Sequence, residues 1–239
     1  MTTDPIGTDI LQCLARVDAE RARRAADPAL AARCEALKAL QQQRFRATYA
    51  DLLSTPRYAG AAGFFLEELY GPRDFSQRDA QFQRIVRPLV RLFPKELVLT
   101  VHELARLHAL SETLDSAMAL HLPETVTPAA YVQAWQAVGQ AASRQDQVDL
   151  TLAVGRALDV YTRKPLLRHA LRMMRGPAAA AGLGALQLFL ESGFDTFRAM
   201  GGAAEFLHTI AQREAQWAAT LFEGDPQGRF VALFASNAG

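Results

Sequence analysis

Long apolar runs are scarce in this sequence, and so is cysteine. The longest apolar stretch, residues 178–190, falls short of the roughly 18 residues that a membrane-spanning helix needs. The N-terminus has acidic residues and no apolar run followed by a cleavage site, so no signal peptide is expected. The two cysteines, Cys13 and Cys34, are placed about 10 Å apart by two successive predicted helices, which is too far for a disulfide. We therefore expect a cytoplasmic protein with free thiols.

The local motifs of common enzyme classes are also missing. The sequence has no Gly-rich phosphate loop, nucleophile elbow, zinc-type Cys/His spacing or helical HExxH. Glu205 and His208 have the spacing of ligands in carboxylate-bridged metal sites, but the pattern occurs once and points away from the apolar stripe of its helix. We expect no metal site and no cofactor. An enzyme whose residues are scattered over several helices would leave no such signature.

Neither sign of charge is in clear excess, since the sequence has 26 basic and 25 acidic residues. A net charge of +1 gives no global attraction toward nucleic acid, so no nucleic-acid partner is expected. The content of 50% hydrophobic and 21% charged residues is typical of a globular protein.

A helical period runs through nearly every segment, without the alternation typical of strands. The pattern predicts an all-α fold, a multi-helix bundle of about 9–11 helices. The loop at residues 122–127 divides the chain into two predicted halves, residues 1–125 and 126–239, which together form one or two packed bodies.

The segment 58–70 combines aromatic, glycine and carboxylate residues more densely than any other. As a helix, it has an apolar face of Tyr58, Ala62, Phe65, Leu66 and Leu69. The opposite face contains Gly60, Gly63 and Phe64 beside Glu67, and two glycines one turn apart predict a close approach of another backbone. We expect this helix to lie between neighbours on both sides and to end at Gly71 and Pro72.

The string FFLEELY at residues 64–70, followed by GPRDFS, resembles the signature of the bacterial FFLEELY-motif proteins. The resemblance covers about twenty residues. It implies membership of an uncharacterised family and a bacterial setting. It implies no particular activity, cofactor or catalytic residue.

Glu67 is predicted to lose its water on the covered glycine face, with Glu68 at the edge of the apolar face. A desolvated carboxylate needs a partner or becomes protonated. The nearest arginines are Arg73 and Arg78, followed by the line of Arg84, Arg87 and Arg91 on the next helix. We expect Glu67 to form a charge-assisted bond with one of them.

A basic segment covers the helix that begins at Pro165 and the two residues before it. No acidic residue occurs between Asp159 and Glu191. Such a helix can lie on an anionic membrane or bind an anion. We prefer a solvated face paired with acids from elsewhere, with Leu167, Ala170, Leu171 and Met174 inside. The basic residues are Arg163, Lys164, Arg168, Arg172 and Arg175.

Two apolar segments of the second half have expected positions. Residues 178–192 are expected to form a buried central helix, followed by a short turn at 194–197. The apolar tail at 230–234 is expected either to dock on the body or to bind something outside it. Glu214 lies within an apolar stripe, so it needs a partner, for which an Arg or Tyr near the 58–70 helix is suitable. His108 and His121 are expected to be hydrogen-bonded core histidines, with Ser111 capping a separate short helix.

Three functions remain open. The leading hypothesis is a non-catalytic binding or interaction protein that uses the basic segment or the motif region. Its partner would be a protein or small ligand, in an oligomeric state that the sequence leaves open. The alternative is a helical enzyme with Glu67, Glu68, Glu214 and a histidine around an internal pocket. The third is peripheral membrane association through the basic segment. The motif-region candidates are Phe64, Glu67, Glu68, Tyr70, Arg73 and Asp74.

Overall fold

The computed structural model describes residues 4–69 and 75–235, and within these ranges the regular secondary structure is entirely helical. The all-α prediction is confirmed. Three of the motif-region candidates, Tyr70, Arg73 and Asp74, lie outside the described residues, as does the predicted helix end at Gly71 and Pro72.

The helices follow one another with short connections. The first half contains α1 (Pro5–Ala25), α2 (Pro28–Thr48), α3 (Ala50–Ser54), α4 (Pro56–Phe64), a π-helical turn (Phe65–Leu69), α5 (Ser76–Leu92) and α6 (Lys95–His121). The second half contains α7 (Pro128–Val138), α8 (Ala141–Thr162), α9 (Pro165–Met173), α10 (Arg175–Ala180), α11 (Gly184–Met200), α12 (Ala204–Phe222) and α13 (Arg229–Ala235). Among these helices, none is long and apolar enough to cross a membrane.

Local capping explains where several helices begin. The Asp27 carboxylate accepts hydrogen bonds from the backbone N–H groups of Ala29 and Leu30, with Pro28 at the first helical position. Thr127 caps α7 in the same way, through the N–H of Ala130. These caps satisfy donors that the first helical turn leaves unpaired.

Helix α6 is the central element of the bundle. It packs against α1, α2, α7 and α8. The prediction that Ser111 starts a separate helix is wrong, because α6 runs unbroken through Ser111, whose side chain instead accepts a hydrogen bond from Gln147 at 2.8 Å. The long continuous helix gives neighbouring elements from both halves of the chain a common surface.

An apolar core lies between α4, α8, α11 and α12. Phe65, Phe197 and Phe206 form its centre, with ring centroids 5.6–6.4 Å apart. The C-terminal segment docks separately. Phe230 is fully buried, stacks on Tyr131 at 5.0 Å and meets Trp217 edge-on, so of the two alternatives left open by the sequence the structure shows the docked tail.

The predicted buried helix over residues 178–192 is wrong. The chain turns between α10 and α11, where Gly182 has φ +67°. Leu188 is 71% exposed and Leu190 is 40% exposed. An Ala/Gly/Leu run is apolar on every face, so its composition cannot tell a central helix from one whose outer side stays in water. The predicted turn at 194–197 is also wrong, since α11 continues to Met200 with Phe197 buried.

The close helix contact in this region is made by a different glycine from the two predicted. A Cβ on Gly63 would meet nothing within 4 Å. A Cβ on Gly60, which is exposed, would lie 3.6 Å from the Thr196 side chain of α11, an ordinary contact that does not require glycine. On α11, however, a Cβ on Gly193 would lie 3.0 Å from the end of the Phe64 ring. The glycine that lets α11 approach α4 is therefore on the partner helix. The expectation that Gly63 packs against a neighbour is wrong.

The two glycines can be distinguished by the same substitution. Gly63→Ala should raise the free energy of unfolding by up to about 1 kcal/mol, because alanine favours helix and the added methyl enters open space. Gly193→Ala should be less stable than Gly63→Ala by about 1–3 kcal/mol, since the buried Phe64 ring must move. Urea unfolding of both variants measures the difference. Equal stabilities would contradict the assigned contact.

Candidate functional site

The motif segment changes helix type within the string FFLEELY. Helix α4 ends at Phe64, and the next five residues form a π-helical turn, a feature often found at functional sites. Phe64, proposed as a binding residue, is buried instead, with its ring 5.5 Å from that of Phe189 and in contact with Gly193. The reason is the helical register, which turns both Phe64 and Phe65 into the core between α4 and α11.

The two motif glutamates differ in exposure, in the opposite order to the one expected. Glu67 is exposed, so the prediction that it loses its water is wrong. Glu68 is partly buried, and Arg78 donates to its backbone oxygen at 3.4 Å and lies 3.9 Å from its carboxylate. The arginine expected near Glu67 is therefore beside Glu68. The bond between Glu67 and an arginine stays a prediction.

A cavity of about 370 Å³ lies where the π-helical turn, the start of α5 and the middle of α11 meet, and it is open to solvent. Arg78 forms its floor, with the guanidinium 4.1 Å from the ring centre of Phe75 and 4.6 Å from that of Phe189. Leu188, which is 71% exposed, lies on its rim. We call this the motif cavity; its lining residues are Glu68, Phe75, Gln77, Arg78, Ala185, Leu188, Phe189 and Ser192.

Arg78 is held in place electrostatically as well as by the two rings. Burial lowers the pKa of its guanidinium, while the carboxylates of Asp79 and Glu68 act in the opposite direction. Its Nε donates to the Asp79 carboxylate at 3.3 Å. An arginine fixed by two rings and two acids is a preordered surface for contact with a partner.

Asp79 connects the motif cavity to the interior of the bundle. Its carboxylate accepts hydrogen bonds from Arg21 at 2.6 Å and from His108 Nε2 at 2.7 Å. Burial alone would raise the pKa of Asp79, but the hydrogen bond and charge of His108, the charge of Arg78 and the hydrogen bond from Arg21 lower it to about 2. The expectation that His108 is hydrogen-bonded is confirmed, whereas the expectation that His121 is a core histidine is wrong, because His121 is exposed. Asp79 was not predicted from the sequence as a residue of this site.

A second buried ion cluster lies one turn further along α6. Glu112 is paired with Arg24 of α1 and with Lys38 of α2, the latter at 2.6 Å. Burial would raise the pKa of Glu112, but Lys38 and Arg24 lower it to about 2. Asp115 accepts from Gln41 at 3.0 Å, and burial raises its pKa despite the nearby Lys38. We call the Asp79 and Glu112 groups together the ion network.

The ion network corresponds to a spacing of polar residues in the sequence from which it was predictable. His108, Glu112 and Asp115 are spaced i, i+4 and i+7, which places all three on one face of α6. A polar stripe on a helix that is buried on several sides requires partners from neighbouring helices. Both Glu112 oxygens are occupied by cations, so this cluster is arranged for stability.

The acids proposed for an enzyme site lie in three different environments. Glu67 is exposed, and Glu68 lines the motif cavity. Glu214 lies between α2 and α12, where Arg44 donates to it at 2.5 Å and the Tyr49 hydroxyl at 2.6 Å. The prediction that Glu214 is paired with Arg or Tyr is confirmed, but both partners come from α2 or its C-terminal cap, not from the 58–70 helix.

Three residues of the basic segment lie in ion pairs. Arg163 pairs with Asp159 at 2.6 Å, and Arg168 pairs with Asp195 at 3.1 Å. Arg175 binds both carboxylate oxygens of Glu191, at 2.5–2.9 Å. Lys164 lies 5.7 Å from the ring centre of Tyr161, and Arg172 is exposed. The inner residues of α9 were predicted wrongly, since none of its residues is buried and the adjoining Met174 is 49% exposed.

At two other candidate ligand sites, acidic side chains already have hydrogen-bond or ion-pair partners within the protein. A cavity of about 340 Å³ beside Gly201 includes Arg163 and Arg198, but Asp159 supplies the negative charge there and accepts the N–H of Ala203 at 3.0 Å. Glu205 and His208 are exposed, and Glu205 accepts a hydrogen bond from Tyr58. Among the described residues, no group of three or more His, Cys, Asp or Glu is placed to hold a metal ion.

The chain belongs to a helical family defined by a model described as "Domain of unknown function (DUF8198)", which matches residues 20–228. The match spans α2 to α12, the motif cavity and all of the ion network. No curated protein matches the chain, and no solved structure matches it. The family therefore gives the class of the protein without an activity.

The ion network should make stability depend on pH in the acid range. Glu112 and Asp79 ordinarily titrate at 4.5 and 3.8, and both pKa values are lowered to about 2 in the fold. A lowered pKa means that the ionised groups stabilise the folded state above their ordinary values, and that this stabilisation is lost as the pH falls toward 2. Urea unfolding between pH 7 and 2 should show a decline that is shallower in Glu112→Gln.

The two acids of the second cluster should respond differently to neutralisation. At pH 7, Glu112→Gln should lower the free energy of unfolding by about 3–5 kcal/mol, because Arg24 and Lys38 lose their common partner. Asp115→Asn should cost less, since burial already disfavours the charged form of Asp115 and the amide oxygen can still accept from Gln41. An Asp115→Asn variant less stable than Glu112→Gln would contradict the assignment.

Proposed function

We propose that this protein is a non-catalytic helical binding protein whose binding site is the motif cavity. The observation that carries the proposal is Leu188, a large apolar side chain 71% exposed on the rim of a cavity with a fixed arginine floor. Exposed leucines are common singly, but this one adjoins Phe75 and Phe189. Arginine and aromatic residues are the types that dominate binding energy at protein interfaces.

The occupant that fits this site is a segment of a partner protein that inserts an apolar side chain. The cavity, at about 370 Å³, is near the lower end of the range for small-molecule pockets and is open to solvent. A small molecule would remain half in water there, whereas a protein segment would also cover Leu188. Gln77 and Ser192 offer polar groups at the margin for hydrogen bonds to a partner backbone.

The enzyme alternative has less support, because Glu67, Glu68 and Glu214 occupy separate environments and Glu214 is already paired. A bacterial cytoplasmic setting is part of this proposal. The cytoplasmic part is supported by Cys13 and Cys34, which are both free, as in a reducing compartment.

The proposal predicts that binding depends on the rim of the cavity. Leu188→Glu should weaken the complex with a purified partner by at least about tenfold, because a charge would enter the apolar contact. The partner is first identified by photo-crosslinking from position 188 in cells of the source organism, and its Kd is then measured by calorimetry.

Leu99→Glu is the matched control, since Leu99 is 41% exposed on α6 and does not line the cavity. It should leave the Kd unchanged. Equal affinity of wild type and Leu188→Glu, or the absence of any crosslinked partner whose binding depends on Leu188, would contradict the proposed site.

A further inference from the structure

Helix α9 is unusual because its outer side is apolar. None of its residues is buried, while Leu166 is 82% exposed and Met173 is 66% exposed. The adjoining Met174 is 49% exposed. Large apolar side chains clustered on one short surface helix mark an interaction surface more than single exposed residues do.

The geometry of α9 separates the residues that hold it from the residues that it presents. Leu167 and Leu171 are half-buried on the side toward α11, and the backbone oxygen of Leu171 accepts from Gln187 at 2.6 Å. At 100° per residue, Leu166 and Met173 lie 20° apart and roughly 100–160° from those two leucines. They therefore project away from the protein body.

The ion pairs of the basic segment fix this orientation. Arg168 binds Asp195 and Arg175 binds Glu191, both on α11, so these two arginines tie α9 to the body. Arg172 is exposed and lies about 100° around the helix from Met173, at the edge of the outer side, where its charge also lowers the pKa of Glu191. Internal pairing and an exposed apolar arc with a cation at its edge thus occur together.

The segment that contains this surface has no acidic residue of its own. From Lys164 to Gly182 the sequence contains four basic residues, one histidine and no acid. The acids that α11 places beside it, Asp195 and Glu191, are each paired with an arginine of the segment. Exposed leucine and methionine beside cations are complementary to a negatively charged bilayer.

We propose that α9 and α10 form a membrane-docking surface that lies on an anionic lipid bilayer. Leu166 and Met173 enter the boundary between headgroups and acyl chains, while Lys164 and Arg172 contact lipid phosphates. The surface is separate from the motif cavity, so membrane docking and binding of a partner segment do not compete for residues.

Vesicle co-sedimentation tests the proposal with the full chain. Wild type should sediment with vesicles of phosphatidylglycerol and phosphatidylcholine at low salt, much less at high salt, and little with phosphatidylcholine alone. The double variant Leu166→Ser/Met173→Ser should reduce the bound fraction by about tenfold, because the apolar insertion is lost. Both positions are exposed, so this variant should keep its fold, which circular dichroism checks.

Two further variants separate the apolar and charged contributions. Lys164→Gln/Arg172→Gln should reduce binding and its salt dependence, while Leu99→Ser, a change at an exposed leucine on α6, should bind like wild type. Wild type that fails to sediment with anionic vesicles would overturn the proposal. So would a wild-type dimer, seen by light scattering, that becomes monomeric in Leu166→Ser/Met173→Ser, because the apolar surface would then be buried between two copies.

Discussion

The structure depends on one constraint, which is that the acids on the buried stripe of α6 and their neighbour Asp79 must be paired. An unpaired buried carboxylate is costly, so Glu112 requires Arg24 and Lys38, and Asp79 requires Arg21 and His108. These partners come from α1, α2 and α6 itself. The ion network thereby sets how four helices of the first half lie against one another, in addition to their apolar contacts.

The same constraint reaches the candidate binding site. The Asp79 side chain hydrogen-bonds within the ion network. The side chain of the preceding residue, Arg78, lies between two aromatic rings and lines the motif cavity. The position of the cavity floor is thus fixed by a buried ion pair one residue away. By contrast, α9 is tied to α11 by ion pairs of exposed or half-exposed arginines, which contribute little to stability because solvent screens them. A rigid bundle and a weakly held outer segment follow from this difference.

What could be predicted from the sequence was largely local. The cap at Asp27 depends on adjacent residues, and the need for a partner at Glu214 follows from its own helix. Which residue meets which across the fold was not predictable in this way. Gly63 and Gly193 have the same chemistry, and only the packing of α11 on α4 shows that Gly193 makes the close contact. The partners of Asp79 likewise come from distant helices.

The central claim is that a stable ion-paired bundle supports a weakly held outer segment, and native-state hydrogen exchange tests it most directly. We predict that backbone amides of α6 around Glu112 exchange only through global unfolding, with a denaturant dependence equal to that of the whole protein. Amides of α9 and α10 should exchange through local opening at a much lower free energy. Equal protection of α6 and α9 would contradict the account.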